Sequence, residues 1–114
     1  MTQLLANVFA VDLEPESYVS VEDGTPVRTG AHFVSELAGA AVGVWGAEVG
    51  HIGAVTTDEI FVILEGRAEI TFEDTKETIT AGPGDVVRLF AGQRNSWKTI
   101  DPIRKVSFYV PPAE

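Results

Sequence analysis

Glu59 is the residue of this chain whose type and position most readily suggest chemistry. It precedes a β-branched and aromatic run, Ile60-Phe61-Val62-Ile63-Leu64, that ends at Glu65-Gly66. Because side chains alternate between the two faces of a strand, an inward-pointing Glu59 would share its face with Phe61 and Ile63. A carboxylate at the mouth of such an apolar interior needs a polar partner or a proton. It could bind a small polar molecule or act as a general base.

Asn95 and Trp97 form the second candidate group, because alternation places both on one face of a strand. Trp45 precedes the stretch that leads to Glu59, and His51 lies between them in the sequence. A cavity lined by aromatic rings, with one carboxylate and one amide, has the composition of a small-molecule site. An equally weighted alternative is that Trp45 and Trp97 are core or dimer-contact residues and not part of a ligand site.

Short strands separated by glycine and proline must position these residues. Period-two alternation or β-branched composition predicts strands at 60–64, 68–72, 77–80, 86–90 and 104–110. Residues 35–41 contain Gly39 and are better interpreted as a hairpin than as a helix. Many short strands at this spacing indicate a sandwich or barrel, and closure protects their edges from aggregation.

Composition fits one globular domain over residues 1–114 and narrows its partners. The chain has 17 acidic and 8 basic residues, a formal charge of −9 and no cysteine. This charge disfavours nucleic acid and anionic membranes as partners, and the lack of cysteine excludes thiolate ligands and nucleophiles. No apolar run approaches the roughly 20 residues of a membrane span, and residues 1–6 lack the basic start of a signal peptide. We therefore expect a cytoplasmic protein.

In their order along the chain, several of these features resemble the cupin superfamily, and more narrowly the short bacterial cupins of the Cupin_3 group. The anchors are Asp23-Gly24-Thr25-Pro26-Val27-Arg28, Val42-Gly43-Val44-Trp45, Asp58-Glu59, Leu64-Glu65-Gly66, Gly82-Pro83-Gly84-Asp85, Ala91-Gly92, Trp97 and Arg104-Lys105. The resemblance covers residues 23–110. It implies an all-β, antiparallel cupin jelly-roll barrel with about ten short strands and little or no helix.

The resemblance also implies a ligand set that this sequence lacks. Two histidines usually precede the glutamate of the first cupin motif, but the corresponding positions hold Ile52 and Ala54, or Gly53 and Val55. In the second motif, Phe90 stands where proline is usual and Asn95 where histidine is usual. Glu59 is then the one expected ligand that remains. Because tight transition-metal sites need two or three imidazoles with a carboxylate, we expect no metal cofactor.

A weaker alternative keeps a divalent metal ion on Glu59, His51 and Asn95, if His51 points inward. Its orientation depends on the strand register or on a bulge at Gly50 or Gly53. Candidate partners for a metal-free Glu59 are Asn95, the hydroxyls of Thr56 or Thr57, and Lys105, although alternation leaves the inner face of residues 104–110 undecided.

We therefore expect a small-molecule-binding cupin whose metal-free pocket is centred on Glu59, with Phe61, Asn95, Trp97, Trp45 and His51 as further binding candidates. The alternative is an enzyme that acts on a small polar metabolite, either by proton transfer with Glu59 as the base or through the rebuilt metal site. The resemblance adds a homodimer formed by sheet extension or face packing. Most members of the group have no assigned function, and the substrate is left open.

Overall fold

The computed structural model describes residues 3–111, and within them the regular secondary structure consists of β-strands. The eight strands are β1 (Glu14–Val19), β2 (Pro26–Leu37), β3 (Ala40–Ala47), β4 (Gly50–Val55), β5 (Glu59–Phe72), β6 (Glu77–Ala81), β7 (Val86–Leu89) and β8 (Arg94–Tyr109). All pairings are antiparallel. The expected all-β jelly-roll is confirmed, and within these residues no helix is long and apolar enough to cross a membrane.

Two long strands, β5 and β8, run through both halves of the jelly-roll. One half also contains β1, β2, β3 and β7, and the other also contains β4 and β6. The first and last segments of the long strands have different neighbours, since the start of β5 pairs with β7 and its end pairs with β6. In the same way, the start of β8 pairs with β4 and its end pairs with β3. The hydrogen-bonded order runs β1-β2-β3-β8-β5-β6. Because β1 and β6 are not joined, the sheet does not close into the expected barrel.

The expected number of about ten short strands is also too high, and the reason lies at Gly66. The predicted strands 60–64 and 68–72 are one 14-residue strand, β5, whose register against β8 shifts between Ile63 and Ala68. Gly66 has a φ of 87° within this irregular stretch. It bends β5 as a β-bulge and does not end the strand.

The hairpin predicted within residues 35–41 is confirmed and joins β2 to β3. Ala38 and Gly39 connect the strands with φ values of 53° and 84°. Two successive positive φ angles are typical of a two-residue type I′ turn, whose twist matches that of the flanking strands.

The hydrophobic core lies between the two halves and brings their aromatic residues together. Its largest fully buried apolar side chains are Phe61, Ile63, Ile70, Leu89 and Val44. Phe61, from the start of β5, packs against Trp97, from the start of β8, with ring centroids 5.2 Å apart. This contact links the core to the cavity described next.

Candidate functional site

The jelly-roll contains a cavity of about 530 Å³ that is lined by residues of β1, β2, β3, β4, β5, β7 and β8. Its polar lining includes Glu16, Tyr18, Glu59, Lys105, Ser107 and Tyr109. Its apolar lining includes Trp45, Trp97, Phe33, Ile52 and Leu89. The volume falls in the range of small-molecule sites, and the mixture of aromatic walls with a few polar groups is typical of them.

The polar centre of this cavity is a buried ion pair between Glu59 and Lys105. Glu59 Oε2 accepts hydrogen bonds from Lys105 Nζ at 2.7 Å and from Ser107 Oγ at 3.0 Å. The side chains of Lys105 and Glu59 are only 8% and 14% exposed. Because water screens such a pair weakly, the two charges depend on each other.

Three aromatic rings surround the Lys105 ammonium. Nζ lies 4.1 Å from the centroid of Phe61, 4.9 Å from that of Trp97 and 5.0 Å from that of Trp45. Trp45 and Trp97 meet edge to face at 5.5 Å. The negative faces of aromatic rings attract a cation at such distances, so the rings replace part of the hydration that Lys105 loses.

Burial and charge change the acidity of two groups in the cavity. Burial lowers the pKa of the Lys105 ammonium below its usual value, while the charges of Glu59 and Glu16 act in the opposite direction. Burial also raises the pKa of the Tyr18 phenol, and Glu16 and Glu59 raise it further. Glu16 is itself anchored, because its Oε1 accepts a hydrogen bond of 2.8 Å from Trp45 Nε1. These groups therefore form one coupled electrostatic network.

Strand register explains why Lys105 reaches Glu59. In β8, Lys105 lies between Trp45 of β3 and Ile63 of β5, and Ser107 lies opposite Phe61. Lys105, Ser107 and Tyr109 all line the cavity. The alternate residue Phe108 is half exposed on the outer face. The structure thus identifies the inner face of β8, which the sequence left undecided.

Asn95 is buried behind the cavity and does not line it. It is 1% exposed, and its Oδ1 accepts a hydrogen bond of 3.0 Å from Trp97 Nε1. Within residues 3–111 its Nδ2 has no hydrogen-bond partner. Asn95 therefore orients the Trp97 ring, and Trp97, not Asn95, lines the cavity.

His51 lies outside the cavity lining. Its Nδ1 is 3.2 Å from Glu22 Oε1, in the loop after β1, and its backbone is opposite Lys98 of β8. The structure thus brings together Glu59, Phe61, Trp97 and Trp45 around Lys105, and it places His51 elsewhere.

The family model of the EutQ-like cupin domain, Cupin_3, matches residues 34–106. The chain belongs to this family. The match extends from β2 to β8 and includes both members of the Glu59–Lys105 pair.

Solved structures of other cupins resemble this EutQ-like domain. A DUF861 family protein from Thermotoga maritima is 34% identical, with a TM-score of 0.55 over 58% of this chain and 75% of that one. EutQ from Clostridium difficile is 13% identical, with a TM-score of 0.71 over 89% and 81% of the two chains. A putative ethanolamine utilization protein Q from Salmonella typhimurium is 19% identical, with a TM-score of 0.66 over 90% and 100%. The last two show the fold alone. No curated protein matches the chain.

The metal site considered for this cupin does not fit the geometry of its candidate ligands. His51 pairs with Glu22, Asn95 Oδ1 accepts from Trp97, and Glu59 Oε2 already binds a cationic side chain. Among residues 3–111 no three His, Asp or Glu side chains gather as a metal ion would require. Lys105 places a positive charge 2.7 Å from Glu59 Oε2, where a metal cation bound to that oxygen would be repelled.

Ser107, Tyr18 and Glu16 are cavity residues that sequence reasoning did not select. Ser107 could have been found from Lys105, since the two share a face of β8 at a spacing of two residues. Tyr18 and Glu16 share a face of β1 in the same way, but their place in the cavity depends on contacts with other strands, such as the pairing of β1 with β2. That contact has no local sequence signal.

Proposed function

We propose that this cupin binds a small polar metabolite in the cavity, with Glu59 as the polar centre. The observation that carries the proposal is the buried Glu59–Lys105–Ser107 group on the wall of a 530 Å³ cavity. Buried charged groups are costly to maintain, and a fold of this size can form without them. Their position in a cavity that is also lined by Trp45 and Trp97 supports a binding role.

Proton transfer without a metal is the second candidate function. The observation that favours it is the 2.7 Å hydrogen bond between the Lys105 amine and the Glu59 carboxylate. Groups held this closely can exchange a proton, and one of them can then act on a substrate as the base. In the resting arrangement, however, Lys105 and Ser107 both occupy Glu59 Oε2. We therefore rank binding first.

Ligand binding is expected to change the intrinsic fluorescence of the protein, because both of its tryptophans, Trp45 and Trp97, line the cavity. A panel of small polar metabolites, titrated against the purified chain, should include compounds that shift the emission and raise the melting temperature together. A panel in which no compound does both would contradict the proposed function.

Glu59→Gln is expected to weaken the binding of such a ligand by at least about tenfold, since a hydrogen bond to a charged group contributes roughly 1.5–3 kcal/mol. Glu77→Gln is the matched control, because Glu77 is exposed on β6, away from the cavity lining. The ratio of the two dissociation constants is the measurement. If the two variants bind the ligand equally well, Glu59 does not contribute to binding. If Glu59→Gln binds as well as the control but no longer converts the ligand, proton transfer is favoured as the function.

We further propose that the protein forms a homodimer by face packing. Ile60 of β5 and Phe108 of β8 are cross-strand neighbours on the outer face, 46% and 50% exposed. Phe108 is also opposite Val42 of β3. Adjacent exposed apolar side chains of this kind mark interaction surfaces.

Phe108→Glu is accordingly expected to convert the dimer to a monomer at micromolar concentration, as measured by light scattering after size-exclusion chromatography. The control is Val19→Glu on the edge strand β1, where Val19 is 55% exposed. Dissociation by the control alone would indicate sheet extension instead of face packing. A monomeric wild-type protein would contradict the dimer.

A further inference from the structure

We propose that Lys105 is a carbonyl-reactive amine that forms an imine with a small aldehyde or ketone bound in the cavity. This inference rests on the proposed function, because it names a substrate class for the same cavity. Lysine amines form such adducts when their surroundings desolvate them and a neighbouring group can move the proton.

The position of Lys105 meets the first requirement, which is access from the cavity and not from bulk water. The residue lines the cavity, although its side chain is only 8% exposed. Phe61, Trp97 and Trp45 surround Nζ at 4.1–5.0 Å from their centroids. A carbonyl compound that displaces water from the cavity would therefore meet the amine in apolar surroundings, where the loss of water during imine formation is favoured.

Glu59 meets the second requirement, which is a base in contact with the amine. Its Oε2 lies 2.7 Å from Nζ and can accept one proton from the ammonium. The freed nitrogen lone pair attacks the carbonyl carbon, a C–N bond forms, and the carbonyl oxygen takes up the proton from Glu59. Burial already lowers the pKa of Lys105, so removal of this proton costs less than at an exposed lysine.

The carbinolamine then loses its hydroxyl as water, together with the second proton from nitrogen, which Glu59 transfers. In sum, the ammonium and the carbonyl compound give a protonated imine and one water, and no oxidant, reductant or cofactor is consumed. The product keeps one positive charge on the same nitrogen. The Glu59 carboxylate and the three rings that stabilise the ammonium would therefore stabilise the iminium ion as well.

The chain contains an internal control, because its other two lysines are exposed. Lys76 lies in the turn between β5 and β6, and Lys98 lies on the outer face of β8. In the folded protein these amines have neither an aromatic enclosure nor a place in the cavity lining. Reactivity at Lys105 can thus be compared with two ordinary lysines in the same molecule.

The experiment incubates the wild-type chain with butanal at neutral pH, first alone and then with sodium cyanoborohydride, which reduces an imine to a stable amine. Tryptophan fluorescence reports occupancy before reduction, and peptide mass mapping reports the extent of butylation at each lysine. We expect Lys105 to be butylated at least about tenfold faster than Lys76 or Lys98, because Glu59 is in contact with the amine and can transfer its protons. Unfolding in urea should equalise the three rates.

Glu59→Gln should slow the butylation of Lys105 while leaving the two exposed lysines unchanged, and Lys105→Arg should abolish the preferred adduct. Butylation of Lys105 at or below the rate of the exposed lysines would overturn the inference. If the fluorescence nevertheless changes, the cavity binds the compound and the proposed function stands without imine chemistry. If the fluorescence does not change either, the inference still fails, and the metabolite panel decides the proposed function separately.

Discussion

Replacing Gly66 by alanine is expected to lower the free energy of unfolding by about 3–5 kcal/mol, a loss seen only when a substitution disrupts backbone or core. A Cβ at this position would lie 2.6 Å from the carbonyl carbon of Pro102 and 2.8 Å from the carbonyl oxygen of Asp101, and nearer still to the oxygen of Pro102. All three atoms belong to the backbone of β8. They cannot rotate away as the end of a side chain could, so the two strands must separate.

The positive φ of Gly66 contributes only part of this loss, and Gly84→Ala isolates that part. Gly84 has a φ of 88°, almost the same as the 87° of Gly66. A Cβ at Gly84 would meet no atom within 4 Å. Gly84→Ala should therefore cost only the roughly 1–2 kcal/mol of a left-handed alanine.

Urea denaturation of the wild type and both variants measures the two losses of unfolding free energy. If the three proteins share the same dependence of unfolding free energy on urea concentration, the shift in each midpoint gives the loss directly. Equal losses at the two glycines would mean that β5 and β8 separate without cost at the bulge. In that case Gly66 would be required only for its backbone conformation.

The same glycine shows how far local sequence patterns can predict this fold. Alternation and turn residues were sufficient for the antiparallel strands and for the hairpin at Ala38 and Gly39, because both depend on residues close in the sequence. For the same local reason the sequence predicts that Gly66 ends a strand, and this prediction is wrong. Whether a glycine ends a strand or bends it depends on the partner strand, here Pro102 of β8, which lies far along the chain.

The candidate site was predictable from β5 and much less so from β8. Around Glu59, alternation places Phe61 and Ile63 on the inner face, and the structure buries both. In β8 the apolar residues Val106 and Phe108 occupy one face, and Lys105 and Ser107 the other. The usual rule that apolar side chains face inward would choose the wrong face. Here the polar face points inward, because Glu59 and the aromatic rings provide partners for it.

The position of His51 depended on contacts that no local pattern contains. A histidine next to the expected ligand strand was a reasonable candidate, but its orientation required knowledge of the register between β4 and β8. That register places His51 opposite Lys98 and leaves its ring beside Glu22. The absence of the motif histidines can be seen in the sequence. The contact between the Lys105 ammonium and Glu59 cannot, because it depends on the packing of β8 against β5.

Lys105→Met is expected to lower the free energy of unfolding by about 3–5 kcal/mol, because removal of one partner leaves the other charge buried and unpaired. The methionine can fill the space between Phe61, Trp97 and Trp45, so packing is largely retained. Among residues 3–111, Glu59 then keeps only the 3.0 Å hydrogen bond from Ser107. Glu59→Gln is expected to be destabilising as well, since it leaves the buried Lys105 ammonium without the opposite charge of its partner.

The double variant Glu59→Gln/Lys105→Met separates the ion pair from the packing of each side chain. If the pair acts as a unit, the double variant loses less stability than the sum of the two single variants, by at least about 1 kcal/mol. Additivity to within about 0.5 kcal/mol would show that the charges do not interact. The unfolding free energy of a natural domain is about 5–15 kcal/mol, so the single variants should remain measurable by urea denaturation.

A stable double variant would also bear on the role of the pair. Since apolar or neutral replacements of a buried ion pair are often neutral or stabilising, a double variant as stable as the wild type would mean that folding does not require the charges. Loss of ligand binding in that same folded protein would then assign the pair to the cavity's chemistry. A double variant that binds ligand like the wild type would instead leave Glu59 and Lys105 as structural groups beside an aromatic site.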